Sequence, residues 1–282
     1  MSSPAQVNAP SALKPLRTTL RTVFNLEGFR PGQEAVIRSI LAGRDTLAIM
    51  PTGAGKSLCY QLPALHLPGM TIVVSPLISL MKDQVDKLNE LGVNASLINS
   101  ALTSREQAEV MSGIEDERPE FILTTPERLA DPKFLTMLQG KKIDLFVIDE
   151  AHCISQWGHD FRPSYLDLAH AVTALGRPPV LALTATASAQ VADEIVRQLG
   201  LRDANVINTG TFRPNLVYGV LPTETLEERD RQLAGGRCRK DHEVHEGHEG
   251  HEANSFGTGP RPNTSPSCGA ETDLGILALV MH

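Results

Sequence analysis

Short apolar runs alternate with amphipathic segments from about Leu16 to Leu221. The runs Thr46–Met50, Thr71–Ser75, Phe121–Thr124, Leu145–Asp149 and Val180–Thr184 are rich in Val, Ile and Leu. They are too short for helices and apolar apart from their ends, the pattern of strands covered on both faces of a parallel sheet. Between them, Gln33–Leu41, Lys56–Leu65, Ser79–Leu91, Ser104–Ile114 and Ala189–Leu199 carry apolar residues at helical spacing. Strand, helix and strand at this separation require right-handed crossovers. The predicted fold class is therefore α/β, with a mostly parallel, doubly wound sheet. Ligands of such sheets bind beyond the carboxyl ends of the strands.

The pattern fails after Gly236. Residues 237–282 hold one aromatic, Phe256, and a repeat in which His242, His245, His248 and His251 recur every third position between glutamates. A Pro, Ser, Thr and Gly stretch follows from Gly257 to Gly269. Neither piece can bury an apolar face, and disorder is the expectation. The chain thus divides into a flexible N-terminus (1–15), a folded domain (16–221), a polar linker-like stretch (222–236) and a low-complexity tail (237–282). Imidazoles can ligate zinc or nickel weakly. Their three-residue spacing is not that of a helical zinc motif, and a tail without metal is the better reading.

With 282 residues, 41% of them hydrophobic, the chain can bury one large core or two small ones. The net charge of −7 supplies no global basic field, so any nucleic-acid contact must be local. Cys59, Cys153, Cys238 and Cys268 form no CxxC pair and read as reduced thiols. Met1–Pro10 lacks the basic and apolar regions of a secretory leader. The late apolar run Gly275–Met281 is too short to span a bilayer. A soluble, cytoplasmic chain with no membrane partner is expected.

Two stretches carry chemistry. The first is Met50-Pro-Thr52-Gly53-Ala54-Gly55-Lys56-Ser57, between a strand and a helix. Glycines there permit a tight loop whose N–H groups face phosphate oxygens, and the helix adds its positive end. Lys56 would reach the β- and γ-phosphates, and the Ser57 hydroxyl would ligate Mg²⁺. The strict pattern asks for Gly where this chain has Met50. The second stretch is the strand ending in Asp149-Glu150. Asp149 would hold Mg²⁺, and Glu150 would orient or activate the attacking water. Adjacent carboxylates after a strand are often only a solvated turn, and the cradle upstream favours the catalytic reading. Asp144, at the strand's other end, reads as a surface or capping residue.

The segment from Asp149 through His152, Trp157, His159, Phe161 and Arg162 to Tyr165 resembles the RecQ family of superfamily-2 DNA helicases, where motif II runs into an aromatic-rich loop. Further resemblances keep the family's order: Phe29-Arg30-Pro-Gly-Gln33 (motif 0), Met50–Ser57 (motif I), Ser75 to Gln84 (Ia), Thr125-Pro-Glu127-Arg128 (Ib), Leu183-Thr184-Ala185-Thr186 (III) and Phe212–Leu216. The resemblance covers about residues 16–230. It implies a RecA-like P-loop motor domain using ATP with Mg²⁺, acting 3′–5′ on single-stranded or partly duplex DNA. Arg30 and Gln33 would clamp the adenine and its surroundings. His152, Trp157, His159, Phe161 and Arg162 would link single-stranded DNA to the nucleotide, Thr184 and Thr186 would couple hydrolysis to movement, and Ser75, Lys82, Thr125 and Arg128 would meet the DNA backbone.

Residue chemistry alone leaves alternatives. Trp157 and Phe161 offer faces for base stacking, with Arg162 beside them. Tyr165 suits a core anchor equally well. Lys82 and Arg128 fit a solvated helix face. Ser75 and Thr125 could cap turns, and Thr184 and Thr186 could simply end a strand.

The sequence also departs from the resemblance. Leu26 stands where an aromatic would stack on adenine, implying looser, less adenine-selective binding. The family's second motor domain, with its arginine finger, and its zinc-binding and winged-helix modules are not recognisable here, so zinc is not expected. An arginine finger supplies about 10³–10⁵ in rate. The resulting expectation is a truncated or frame-shifted motor that binds nucleotide, hydrolyses it slowly and does not unwind duplex alone. Its rivals are a non-catalytic ATP- and single-strand-binding module, or a product with no stable role.

Overall fold

The computed structural model describes residues 13–99, 121–157, 160–210, 217–223 and 275–281. The expected helix at Ser104–Ile114, the passage Phe212–Leu216, His159 and the histidine repeat lie outside them.

Seven strands form one parallel sheet: β1 (Thr46–Ile49), β2 (Met70–Val74), β3 (Ala95–Ile98), β4 (Phe121–Thr124), β5 (Ile143–Ile148), β6 (Val180–Thr184) and β7 (Asn205–Asn208). Their spatial order is β3-β4-β2-β5-β6-β1-β7. Helices α1 (Leu13–Thr22), α2 (Gln33–Leu41), α3 (Leu58–Ala64), α4 (Ile78–Glu90), α5 (Pro126–Leu129), α6 (Pro132–Leu138), α7 (Leu168–Ala174) and α8 (Ala189–Gln198) occur between the strands or before them.

Strand side chains alternate between faces, and the two cores sort by that parity. Leu47 and Ile49 of β1 join Ile72, Val74, Phe146, Ile148 and Ala182 under Phe134, Leu168, Val172 and Ile195 of the later helices. Ala48 and Met50 join Val73, Val147, Leu181 and Leu183 under Val36, Ile40, Tyr60, Met81 and Val85 of α2 to α4. Strands covered on both sides explain why the sequence runs are continuously apolar rather than alternating. The same packing accounts for Met50: fully buried, it plugs the second core, and the cradle begins one residue later.

Two strands escape the sequence reading. Ala95–Ile98 and Asn205–Asn208 lie at the edges of the sheet, and their half-exposed patterns carry polar residues. Asp144 does cap a backbone group, accepting the Gly69 N–H at 2.7 Å.

Asp45 fixes the opposite end of β1, with a side chain only 6% exposed. Its carboxylate accepts from Arg177 Nη2 at 2.6 Å, the Arg202 N–H at 2.7 Å and the Val180 N–H at 2.9 Å. Burial alone would raise its pKa. The Arg177 guanidinium and the two backbone donors outweigh that and hold it below 3.8.

Residues 213–282 form a separate unit. In it, Val217–Thr223 pairs antiparallel with Gly275–Met281, the apolar run noted in the tail.

Candidate active site at the strand ends

The chain order places three loops side by side. β1 and β5 are both neighbours of β6, so the cradle after β1 and the acidic loop after β5 flank Thr184 at the end of β6. Ladder hydrogen bonds carry the register into the loops: the Met50 N–H donates to the Thr184 carbonyl at 2.9 Å, and the Asp149 N–H to the Val74 carbonyl at 2.8 Å.

The cradle turns on Gly53 (φ 86°) and Gly55 (φ 79°), both in the left-handed region that glycine enters without steric cost. Gln33 reaches over from α2. Its amide donates to the carbonyls of Ala54 at 3.1 Å and Gly55 at 3.0 Å, and its own Oε1 accepts the Arg30 N–H at 2.8 Å. The Arg30 guanidinium bonds the Gly53 carbonyl. Arg30 and Gln33 therefore brace the loop backbone through its carbonyls, a role the sequence reading did not assign. Lys56 Nζ donates to the Met50 carbonyl at 3.3 Å. Thr52 and Gly53 are exposed, and Ala54 to Ser57 are half-buried.

On the acidic side, Asp149 is 7% exposed and accepts from Ser75 Oγ at 3.4 Å. Burial and the adjacent Glu150 carboxylate raise its pKa to about 6, against a smaller opposing pull from Lys56. Lys56 acts on Glu150 in the same direction, so the cradle's ammonium and both carboxylates share one electrostatic site. Glu150 itself adopts φ 49°, an uncommon backbone for a residue with a side chain. The turn leads into the short 3₁₀ helix Ala151–Ile154. It puts Glu150 Oε2 3.2 Å from His152 Nδ1.

His152 has further neighbours: Thr184 Oγ1 at 3.0 Å from Nδ1, Asp160 Oδ2 at 3.7 Å and the Cys153 sulfur at 3.9 Å from Nε2. Contacts with the Cys153 sulfur and the Glu150 carboxylate raise its pKa, and the carboxylate supplies the charge that favours the imidazolium. The same His152 contact lowers the pKa of Glu150. Thr184 Oγ1 donates to the Thr186 carbonyl at 3.0 Å, linking the imidazole to the end of β6.

The remaining candidates separate by exposure. Trp157 is 73% exposed, and Thr186 and Lys82 are on the surface. Phe161 and Arg162 are half-buried. Tyr165 is fully buried, and its hydroxyl donates to the Asp149 carbonyl at 3.0 Å, so it is a core anchor. Thr125 caps α5 through the Arg128 N–H. The Arg128 side chain pairs with Asp131 at 2.7 Å and lies over the Phe134 ring, unlike a solvated helix face. Ser75 is buried against Asp149 and does not cap a turn. Among the positioning residues, the Ser164–Glu127 bond at 2.8 Å, the buried Ser155–Glu194 pair and the Tyr165 contact join positions far apart in the chain. No local periodicity signals them.

The match to a family model decides the lineage. The DEAD/DEAH box helicase family covers residues 30–195, a span containing the cradle, the acidic loop and Thr184. The chain belongs to this family, on its RecQ branch. The branch follows from relatives named as such. It is 48% identical over 210 residues to the ATP-dependent DNA helicase RecQ of Bacillus subtilis, covering 74% of this chain and 36% of that protein. It is 45% identical over 214 residues to the ATP-dependent DNA helicase Q5 of Rattus norvegicus, covering 73% and 22%. The chain therefore spans about a third or less of these two relatives. The fold matches the DEAD-box helicase Mss116 bound to ssRNA and UDP-BeF, with a TM-score of 0.58 at 19% identity over 76% of this chain and 47% of that one. It also matches the DUF1998 helicase MrfA bound to DNA, with a TM-score of 0.54 at 16% identity over 74% and 30%. The RecQ assignment fits the parallel sheet and the P-loop, and no described helix is long and apolar enough to cross a membrane.

Proposed function

We propose that residues 16–221 are the first motor domain of an ATP-dependent 3′–5′ DNA helicase, binding Mg²⁺-ATP at the strand ends and single-stranded DNA at the Trp157 loop. One observation carries this reading: the cradle and the two carboxylates flank a single strand end, and His152 joins Glu150 to Thr184 on that strand. Lys56 and the loop N–H groups would bind the phosphates. The donor set fits a hard divalent cation: Asp149 is a buried carboxylate beside a second carboxylate, and Ser57 offers a hydroxyl. Among the described residues no three His, Cys, Asp or Glu side chains gather to hold a metal by themselves. An ion here would be bound by one protein carboxylate, a hydroxyl and the nucleotide's own oxygens. When bound, the ion neutralises phosphate charge. Asp149 and Ser57 hold it, and Glu150 orients water.

Acting by itself, this domain would turn over slowly and would not separate strands, because translocation requires a second lobe that opens and closes against the first. Work on DNA would put it in the cytosol or nucleoid. A second reading, nucleotide and single-strand binding without turnover, is favoured by the Glu150–His152 pair, which occupies the residue that should act on water. A DNA-stimulated ATPase assay on the full chain discriminates. Turnover that disappears in Lys56→Ala and Glu150→Gln supports the motor. Tight nucleotide binding with no turnover supports the module.

A further inference from the structure

The acidic loop is tied to the stretch Val180–Gln198 at two places. One is the His152–Thr184 contact already described. The other is buried and lies beyond the nucleotide site. Glu194 sits on α8, 7% exposed, between the buried Val191 and Ile195. A carboxylate in such a setting is costly unless it is hydrogen-bonded. Its Oε2 accepts from Ser155 Oγ at 2.5 Å, and Ser155 is completely buried. Ser155 Oγ in turn accepts the Trp157 N–H at 3.2 Å. An amide only donates and a carboxylate oxygen accepts, so the chain has one direction: Trp157 N–H to the Ser155 hydroxyl, and that hydroxyl to Glu194. Such chained bonds strengthen one another in a dry interior.

The helix bearing Glu194 begins at its cap Ser188, two residues after Thr186. Both ties therefore end on one continuous segment, strand end and helix together. Trp157 is 73% exposed, so its backbone anchor governs where its ring is presented.

We propose that Glu194 is a positioning residue for Trp157: through Ser155 it fixes the base of the aromatic loop to α8 and thereby sets the loop's affinity for single-stranded DNA. The affinity part rests on the reading of Trp157 as a stacking platform; the positioning part does not. Carboxylate, hydroxyl and amide form a structural relay.

The chain has a single tryptophan, so emission anisotropy of the full chain reports on this position alone. Glu194→Ala should lower that anisotropy and weaken binding of an oligothymidylate by about five- to tenfold, with Mg²⁺-ATP affinity measured by calorimetry unchanged within twofold. Ser155→Ala, which deletes one oxygen, should do the same, and the double variant should be no worse than either. Glu194→Gln retains an acceptor oxygen and should recover most of both signals. It also serves should the alanine variant fail to fold. Unchanged anisotropy in Glu194→Ala or Ser155→Ala, additive losses in the double variant, or no recovery with Gln would overturn the proposal. A wild-type chain that ignores oligothymidylate would remove the DNA reading and the affinity part with it. The anisotropy arm would still decide the positioning.

Discussion

His152 Nδ1 lies 3.2 Å from a carboxylate oxygen of Glu150, and the pair is arranged by a left-handed backbone turn at Glu150 itself. The imidazole favours the ionised carboxylate. The same imidazole nitrogen lies 3.0 Å from Thr184 Oγ1, so one ring joins the acidic loop to the end of β6.

Glu150→Gln should lower kcat for ATP hydrolysis by about 10²- to 10⁴-fold, the range for loss of a positioned acid–base group. Nucleotide affinity should stay within a few-fold, because Lys56 and the loop amides are untouched. Steady-state ATPase and equilibrium nucleotide titration, run side by side, check this.

Gly55→Ala should damage the cradle in two ways. A methyl at φ 79° is strained, and it would stand 2.5 Å from Gln33 Nε2, breaking the brace on the loop carbonyls. The backbone penalty is about 1–2 kcal/mol. Nucleotide affinity should fall by at least tenfold, and the melting temperature should drop.

Asp45→Asn should destabilise the fold by about 3–5 kcal/mol near neutral pH, since it strands Arg177 in a largely buried pair. The sign of the pH dependence follows from the lowered pKa. The ionised carboxylate stabilises the fold at pH values above 3.8 and that contribution is lost as pH falls through its folded value. The gap between wild type and variant in urea denaturation should therefore be widest at neutral pH and shrink on acidification below about 3.8.

Trp157→Ala should weaken single-stranded DNA binding by about 1–3 kcal/mol, the value of one stacked base. The melting temperature should hold, because a side chain 73% exposed packs against little. A parallel loss of thermal stability would instead mark Trp157 as part of the core.

The sheet and the residues of the candidate site could be read from the chain because both are written locally. Five strands announced themselves as apolar runs, since each is covered on both faces. Lys56, Ser57, Asp149 and Glu150 stand at the ends of such runs. The edge strands Ala95–Ile98 and Asn205–Asn208 are half-exposed, and their mixed composition looks like loop. The brace from Gln33, the Arg177–Asp45 pair and the Ser155–Glu194 bond are agreements between distant positions. Each joins residues that no periodicity relates, so only the folded chain reveals them. The Ser75–Asp149 bond was hidden for the same reason: Asp149 is in another strand's loop.

The order β5-β6-β1 has one more outcome. Exactly one strand separates the loop that would grip phosphate from the loop that would grip the ion, so their gap is two interstrand steps, roughly 10 Å. Backbone ladders hold that gauge whether or not a guest is present. Substitutions in either loop can alter how firmly a guest is gripped, but only a change in the sheet can alter the width it must fit.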